Sequence, residues 1–294
     1  MNSRFYNFHP ASLTVYFASV LWVAMFCQNP VFQAFALVGG GTFLAILKGG
    51  KKLFSDLAFY VSLFVLIAVT NPIFSHNGAT PLFFMNGNPV TAEAVFCGAS
   101  IAATLISVIL WFGSVTRIMS DEKIVYLFGK PFPKLALVLS MALRFVPRLK
   151  ERFAETENAQ KALGLFSVES RFDRLKFKLA VFFSTVSQAA ESSVEISQSM
   201  RGRGYGLKNR TSFSRFKFTA ADAVIGAASL AASAVIIFGK ILGKTDFGFY
   251  PVMSEIPVNA AALASYGAYA ALSFAPSIIE LTESIKWKFF ISKI

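Results

Sequence analysis

Residues 220–243 read AADAVIGAASLAASAVIIFGKILG, and residues 199–210, a short way upstream, read SMRGRGYGLKNR. The first stretch carries Asp222 near its start and Lys240 near its end, with apolar or small residues between them. About 20 such residues, rising 1.5 Å each, cross the roughly 30 Å hydrocarbon layer of a bilayer. The second stretch sets Arg201, Arg203, Lys208 and Arg210 among three glycines and is unfit for lipid. One neighbourhood therefore holds a candidate membrane span and a strongly basic segment, and the rest of the chain repeats that contrast.

Of 294 residues, 55% are apolar, 33 are Phe, and the mean hydropathy is +0.57. Soluble domains sit nearer 45–50% apolar, so the surplus points to spans. Six segments qualify, at about 11–28, 30–47, 57–74, 93–116, 219–242 and 258–279. The second contains Gly39, Gly40 and Gly41, which predicts a kink or a close helix contact. The first lacks both a basic n-region beyond Arg4 and a small-x-small cleavage site, so it reads as a span rather than a signal peptide. An all-α polytopic membrane protein is the expected fold class.

Charge orients the spans and divides the chain into 1–116, 117–218 and 219–294, the outer two being transmembrane. Segment 117–218 carries 19 Lys+Arg against 9 Asp+Glu, while no Lys or Arg lies between Lys52 and Arg117. The positive-inside bias then puts 117–218 and both termini in the cytoplasm of a bacterial or archaeal cell, and residues 75–92 outside. Lys240 and Lys244 fall on the outer side, a mild violation.

Helical spacing organises the cytoplasmic segment. Leu175, Leu179, Phe182, Val186, Ala189 and Ser193 follow one side of residues 176–200 and its lead-in, giving an amphipathic helix that must rest on lipid, a sister helix or a partner. Residues 134–164 form the sister, almost wholly apolar at first and charged after Arg144. Pro147 predicts a kink at Arg144–Pro147. Ser120 begins a shorter helix that stops at Gly129. Both long helices end on glycine, in AQKALG (159–164) and SMRGRGYG (199–206). Glycine releases the last carbonyls cheaply, and a basic side chain there meets their partial negative charge.

Catalytic chemistry finds no footing. GKT at Gly243–Thr245 has Phe238 where a Walker loop needs glycine, and RGRGYG has no preceding strand. Cys27 and Cys97 are isolated, and His9 and His76 have no ligand cluster beside them, so neither a metal site nor a redox pair is expected. The positive-inside bias already accounts for the basic excess without nucleic acid. Three readings stay open on the residues alone: a subunit that couples to ATPases on other chains, a conventional permease with its own substrate path, and a membrane scaffold.

Motifs in order resemble a known family. Phe8, His9 and Pro10 precede the first span, and Leu143–Pro147 reads LRFVP. Ala159, Gln160, Ala162 and Gly164 fit A-Q-x-A-x-G. Met200, Arg203, Gly204, Tyr205 and Gly206, with Arg201 inside, fit M-x-x-R-G-Y-G. Across residues 8–240 the chain resembles the transmembrane T component of energy-coupling-factor transporters, the vitamin- and cobalt-importing ABC systems. The resemblance implies that each helix end docks on one of two cytoplasmic ATPase subunits, which hold the ATP and Mg. It also implies that the face of Leu175, Leu179, Phe182, Val186 and Ala189 meets a small substrate-binding membrane subunit. One departure stands out: Leu163 occupies the place of the family's first arginine, and Lys161 lies about 200° away around the helix. An unequal pair of ATPases, with Arg203 making the stronger contact, is the expectation that follows.

Overall fold

Proline and a short polar acceptor mark where several helices begin. His9 Nδ1 accepts from the Ala11 amide (3.2 Å) and Asn29 Oδ1 from the Val31 amide (3.0 Å), each just before a first-turn proline whose missing N–H costs nothing there. The computed structural model describes residues 5–75, 77–85, 88–129, 131–164, 171–205, 207 and 216–291. In chain order these form α1 (Pro10–Phe26), α2 (Pro30–Lys48), α3 (Gly50–Phe74), strands β1 (Pro81–Met85) and β2 (Asn88–Thr91), α4 (Ala92–Ile118), α5 (Asp121–Gly129), α6 (Pro133–Ala162), α7 (Arg171–Gly202), α8 (Ala220–Ile241) and α9 (Ala260–Ile291). Contacts divide them into two compact units, Met1–Ser120 with Phe216–Ile294, and Asp121–Arg215.

The first unit holds all six apolar segments. Among the described residues, five helices are long and apolar enough to cross a membrane: α2, α3, α4, α8 and α9. The sixth, α1, has 17 residues and reaches only about 26 Å. It is nonetheless central, burying Leu13, Tyr16, Phe17, Val20 and Val23 in one core with Phe32, Phe43, Trp111 and Tyr269. Phe5 sits in that core edge-on to Phe8, Tyr16, Phe17 and Phe43. Such edge-to-face rings add roughly 0.5–1.5 kcal/mol beyond the area they bury. The chain between α3 and α4, expected as a plain loop, makes an antiparallel hairpin of β1 and β2.

The three glycines of α2 resolve as a close contact rather than a break. A Cβ on Gly39 would lie 2.8 Å from Ser273 Cβ of α9, and one on Gly40 would lie 3.0 Å from the Trp111 indole nitrogen of α4. Gly41 faces open space. The Trp111 N–H donates to the Ala36 carbonyl at 3.0 Å, fixing α4 against α2 where the small residues admit it.

Polar groups within this unit are satisfied, as a bilayer requires. Gln33 bonds Ser100 at 2.6 Å and Thr104 at 3.0 Å. Tyr16 donates to the Leu272 carbonyl at 2.8 Å, and Asn29 donates to Tyr266 at 2.8 Å. Three buried carboxylates accept from backbone amides of distant segments. Glu93 accepts from the Thr80 amide at 3.3 Å, and Glu280, beyond the last apolar segment read from the sequence, accepts from the Phe5 amide at 2.8 Å. Asp222 closes a capping box with Thr219 and accepts from the His9 amide at 2.6 Å, joining the start of α8 to the start of α1. Cys27 is buried and Cys97 half-buried, both free thiols.

In the second unit α5 packs on α6 and α6 on α7. Lys123 of α5 is 1% exposed, and burial pushes its ammonium down to about 8. Between that value and the ordinary lysine range, the unfolded chain holds a proton that the folded chain has released, so stability rises with pH across this window. Thermal unfolding in detergent should therefore find Lys123→Met more stable than the parent at pH 7, with the difference shrinking toward pH 10. A constant difference would remove the role assigned to burial. In the first unit, Gly39→Ala should lower the unfolding midpoint by about 3–10 °C, an overpacking cost of about 1–3 kcal/mol. Gly41→Ala should leave the midpoint unchanged or raise it slightly.

Candidate functional site

Two long helices, α6 with 30 residues and α7 with 32, carry the residues that the motifs single out. Their sequence permits a close seam. On α7 the buried residues are Val181, Thr185 and Ala189, stepping by four, with the Thr185 hydroxyl returned to its own helix at the Val181 carbonyl (2.8 Å). Small side chains at one-turn spacing let α6 approach, and Arg152 Nη1 donates across the seam to Ser192 Oγ at 3.0 Å. Beyond that bond, the first half of α6 (Leu137 to Arg148) faces the end of α7 (Ser193 to Tyr205), so the helices run antiparallel.

This placement corrects one residue of the proposed outward face. Leu175, Leu179, Phe182 and Val186 are exposed, but Ala189 is buried. The outward stripe alternates steps of four and three, and Ala189, at its edge, is also the next step of four after Val181 and Thr185, which places it in the seam. Ala189 thus packs inside the chain and is not available to a partner. Helix α6 continues through Arg144 and Pro147 with no break, Pro147 withholding only its one amide donor.

The helix ends share one construction. At the end of α7 the Gly204 amide bonds the Arg201 carbonyl (3.0 Å) and the Tyr205 amide bonds the Met200 carbonyl (3.1 Å). With Gly204 at φ +74 this is a Schellman cap, which places Arg203 at the C-cap position. At the end of α6 the Leu163 amide bonds the Ala159 carbonyl (3.1 Å), the Gly164 amide bonds the Lys161 carbonyl (3.1 Å), and Gly164 has φ +75. Leu163 is therefore at the C-cap too, the structural counterpart of Arg203. It is 76% exposed. Lys161 turns back along its own helix to Glu157 at 2.7 Å, and that pairing holds the Glu157 carboxyl below its ordinary range.

Around these caps, Ala159, Ala162 and Gly164 are exposed and Gln160 half-buried, while Arg201 and Arg203 are exposed and Met200 and Gly204 half-buried. Gly206 lies outside the described residues. Leu163 and Arg203 each lie eleven residues past the Arg152–Ser192 bond, in opposite directions. At 1.5 Å per residue the two tips stand roughly 30 Å apart. The seam was legible only as small residues spaced by four on α7, and the Arg152–Ser192 bond had no sequence signal at all. Among the described residues no group of His, Cys, Asp or Glu could hold a metal ion.

No protein-family model matches the chain. Several curated proteins named "Energy-coupling factor transporter transmembrane protein EcfT" are similar to it. That of Lactobacillus helveticus is 24% identical over 227 residues, covering 72% of this chain and 81% of the relative. That of Brevibacillus brevis is 28% identical over 230 residues, covering 74% and 85%. A shorter match, to Bacillus selenitireducens, reaches 32% over 115 residues, and spans 43% of that relative. Along about three quarters of its length, then, this membrane protein is similar to proteins named as the transmembrane component of energy-coupling factor transporters.

Proposed function

We propose that the chain is the coupling subunit of an energy-coupling-factor importer for a vitamin or metal ion. In this reading two cytoplasmic ABC ATPase subunits hold ATP and Mg, and a small membrane subunit holds the substrate. The observation that carries the reading is the pair of like-built, outward C-caps at Leu163 and Arg203, set at opposite ends of one antiparallel helix pair. One rigid body with two distant tips suits two separate motor subunits. When ATP draws those subunits together, the tips are loaded from both ends, and the seam passes the load along α6 and α7. The exposed face of Leu175, Leu179, Phe182 and Val186 is free to receive the substrate-binding subunit. The chain itself performs no chemistry in this scheme.

The two tips differ in what they offer. The Arg203 guanidinium presents a planar fork of donors to carboxylates or carbonyls in a partly dry groove, a contact of about 2 kcal/mol. Leu163 offers only apolar area. An unequal pair of ATPases fits that difference. The permease reading is weakened because Glu93, Asp222 and Glu280, the buried carboxylates of the membrane unit, are engaged by backbone amides. The charge balance of 117–218 supports a cytoplasmic position for both tips and both termini in a bacterial or archaeal cell membrane.

Co-purification of the tagged chain with its ATPases tests the reading. Arg203→Ala should weaken ATPase association about 30-fold and abolish uptake, the equivalent of about 2 kcal/mol. Leu163→Ala should cost markedly less. Equal losses would refute the asymmetry, and a chain that brings down no nucleotide-hydrolysing protein would refute the coupling role.

A further inference from the structure

The hairpin of β1 and β2 is rigidly based and apolar at its far side. At the base the Ala92 amide donates to the Thr80 carbonyl (3.0 Å), and the Thr91 hydroxyl to the Asn77 carbonyl (2.7 Å). The chain between α8 and α9 is tied to the same base, since the Ala79 amide donates to the Pro251 carbonyl at 3.1 Å. Further along β1, Phe83 and Phe84 pair with Val90 and Pro89 and so point to opposite faces of the sheet. Both rings are more than half exposed, at 55% and 70%. Among the described residues the sheet has only these two strands, and a two-stranded hairpin is at best marginally stable in water unless something covers it.

Two features of the surroundings say what covers the rings. The exposure is two-sided: a flat protein surface covers one face, and a strand added at the open edge covers an edge, so either leaves a ring in water. Immersion in an apolar medium takes up both faces together. The hairpin also continues a surface that already faces lipid. Only 6% of the α3 span is buried, and it ends on Ile73 and Phe74, both exposed, shortly before β1. No Lys, Arg, Asp or Glu lies between Asp56 and Glu93, so span and hairpin form one uncharged stretch. The segment bonded at Pro251 adds exposed Val252 and Val258 to the same rim.

We propose that the hairpin is seated in the interfacial layer of the bilayer beside the end of α3, with Phe83 and Phe84 among the upper acyl chains. The leaflet is the one opposite the Lys48–Asp56 pair, which the charge balance makes the outer one. Depth follows from the backbone. The outer edges of a two-stranded sheet carry unpaired amides and carbonyls, which hydrocarbon leaves unsatisfied and the wet headgroup region satisfies. The rings supply the apolar area, about 150–250 Å² each when fully covered. With no charge in the stretch, the contact is to phospholipid in general and not to an anionic headgroup. The site lies in the membrane unit and uses no residue of α6 or α7, so it stands or falls separately from the coupling reading.

The test places a benzophenone amino acid at Phe83 in one protein and at Phe84 in another. Each full chain is irradiated in phosphatidylcholine vesicles and its adducts are identified by mass spectrometry. Lipid adducts should form at both positions, with the same yield when phosphatidylglycerol replaces half of the phosphatidylcholine. The same amino acid at Glu155, in the charged half of α6, should lose them. In native membranes that hold the whole transporter, both hairpin positions should still capture lipid. Lipid at neither or only one of the two positions, a yield that rises with phosphatidylglycerol, equal labelling at Glu155, or capture of a protein in native membranes would each overturn the proposal.

Discussion

Close approach along one seam governs what the α6–α7 pair can do. Val181, Thr185 and Ala189 are small enough, and regularly enough spaced, for α6 to lie against α7, and Arg152 ties the two at Ser192. Antiparallel packing then sends the C-terminus of each helix in the opposite direction. A parallel pair would have delivered Leu163 and Arg203 to one place. Because the seam is a contact of packed side chains, displacing one tip must either move the other or break the packing. That property is what a device linking two motors requires.

The membrane unit follows a different economy. Its helices bring backbone and side chains together where glycine or alanine removes bulk, as at Gly39 and Gly40, and among the described residues every buried side-chain nitrogen and oxygen has a hydrogen-bond partner. Buried carboxylates fasten backbone amides of distant segments. Asp222 is the most telling of these, because it ties the chain returning from the basic segment to the entry of α1.

Much of this was readable in advance, for definite reasons. All six apolar segments are helices, because hydropathy over 17 or more residues leaves the backbone few alternatives in lipid. The glycine ends of α6 and α7 were legible because left-handed backbone is cheap only for glycine. Element limits were less so. Helix α3 starts at Gly50, with Lys51, Lys52 and Asp56 in turns that hydropathy passes over, and α9 runs on to Ile291 past a charged Glu280. The β1–β2 hairpin escaped because PLFFM resembles any short apolar run. Ala189 was placed on the outward face because a repeat of four and three cannot tell which of two adjoining stripes a neighbour will cover. That the first half of α6 faces the end of α7 depends on where two distant segments meet, which periodicity within each does not report.

Site-specific photo-cross-linking speaks most directly to the proposal that the two ends of one helix pair engage two separate motor proteins. A photoreactive residue would be placed at Leu163 in one protein and at Leu207 in another, both strongly exposed beside their caps. Each would be irradiated in membranes that contain the intact transporter, and the adducts identified by mass spectrometry. Two different ATPase polypeptides, one joined at each position, are the expected products. Adducts from both positions with a single polypeptide that is present once, or with lipid alone, would contradict it.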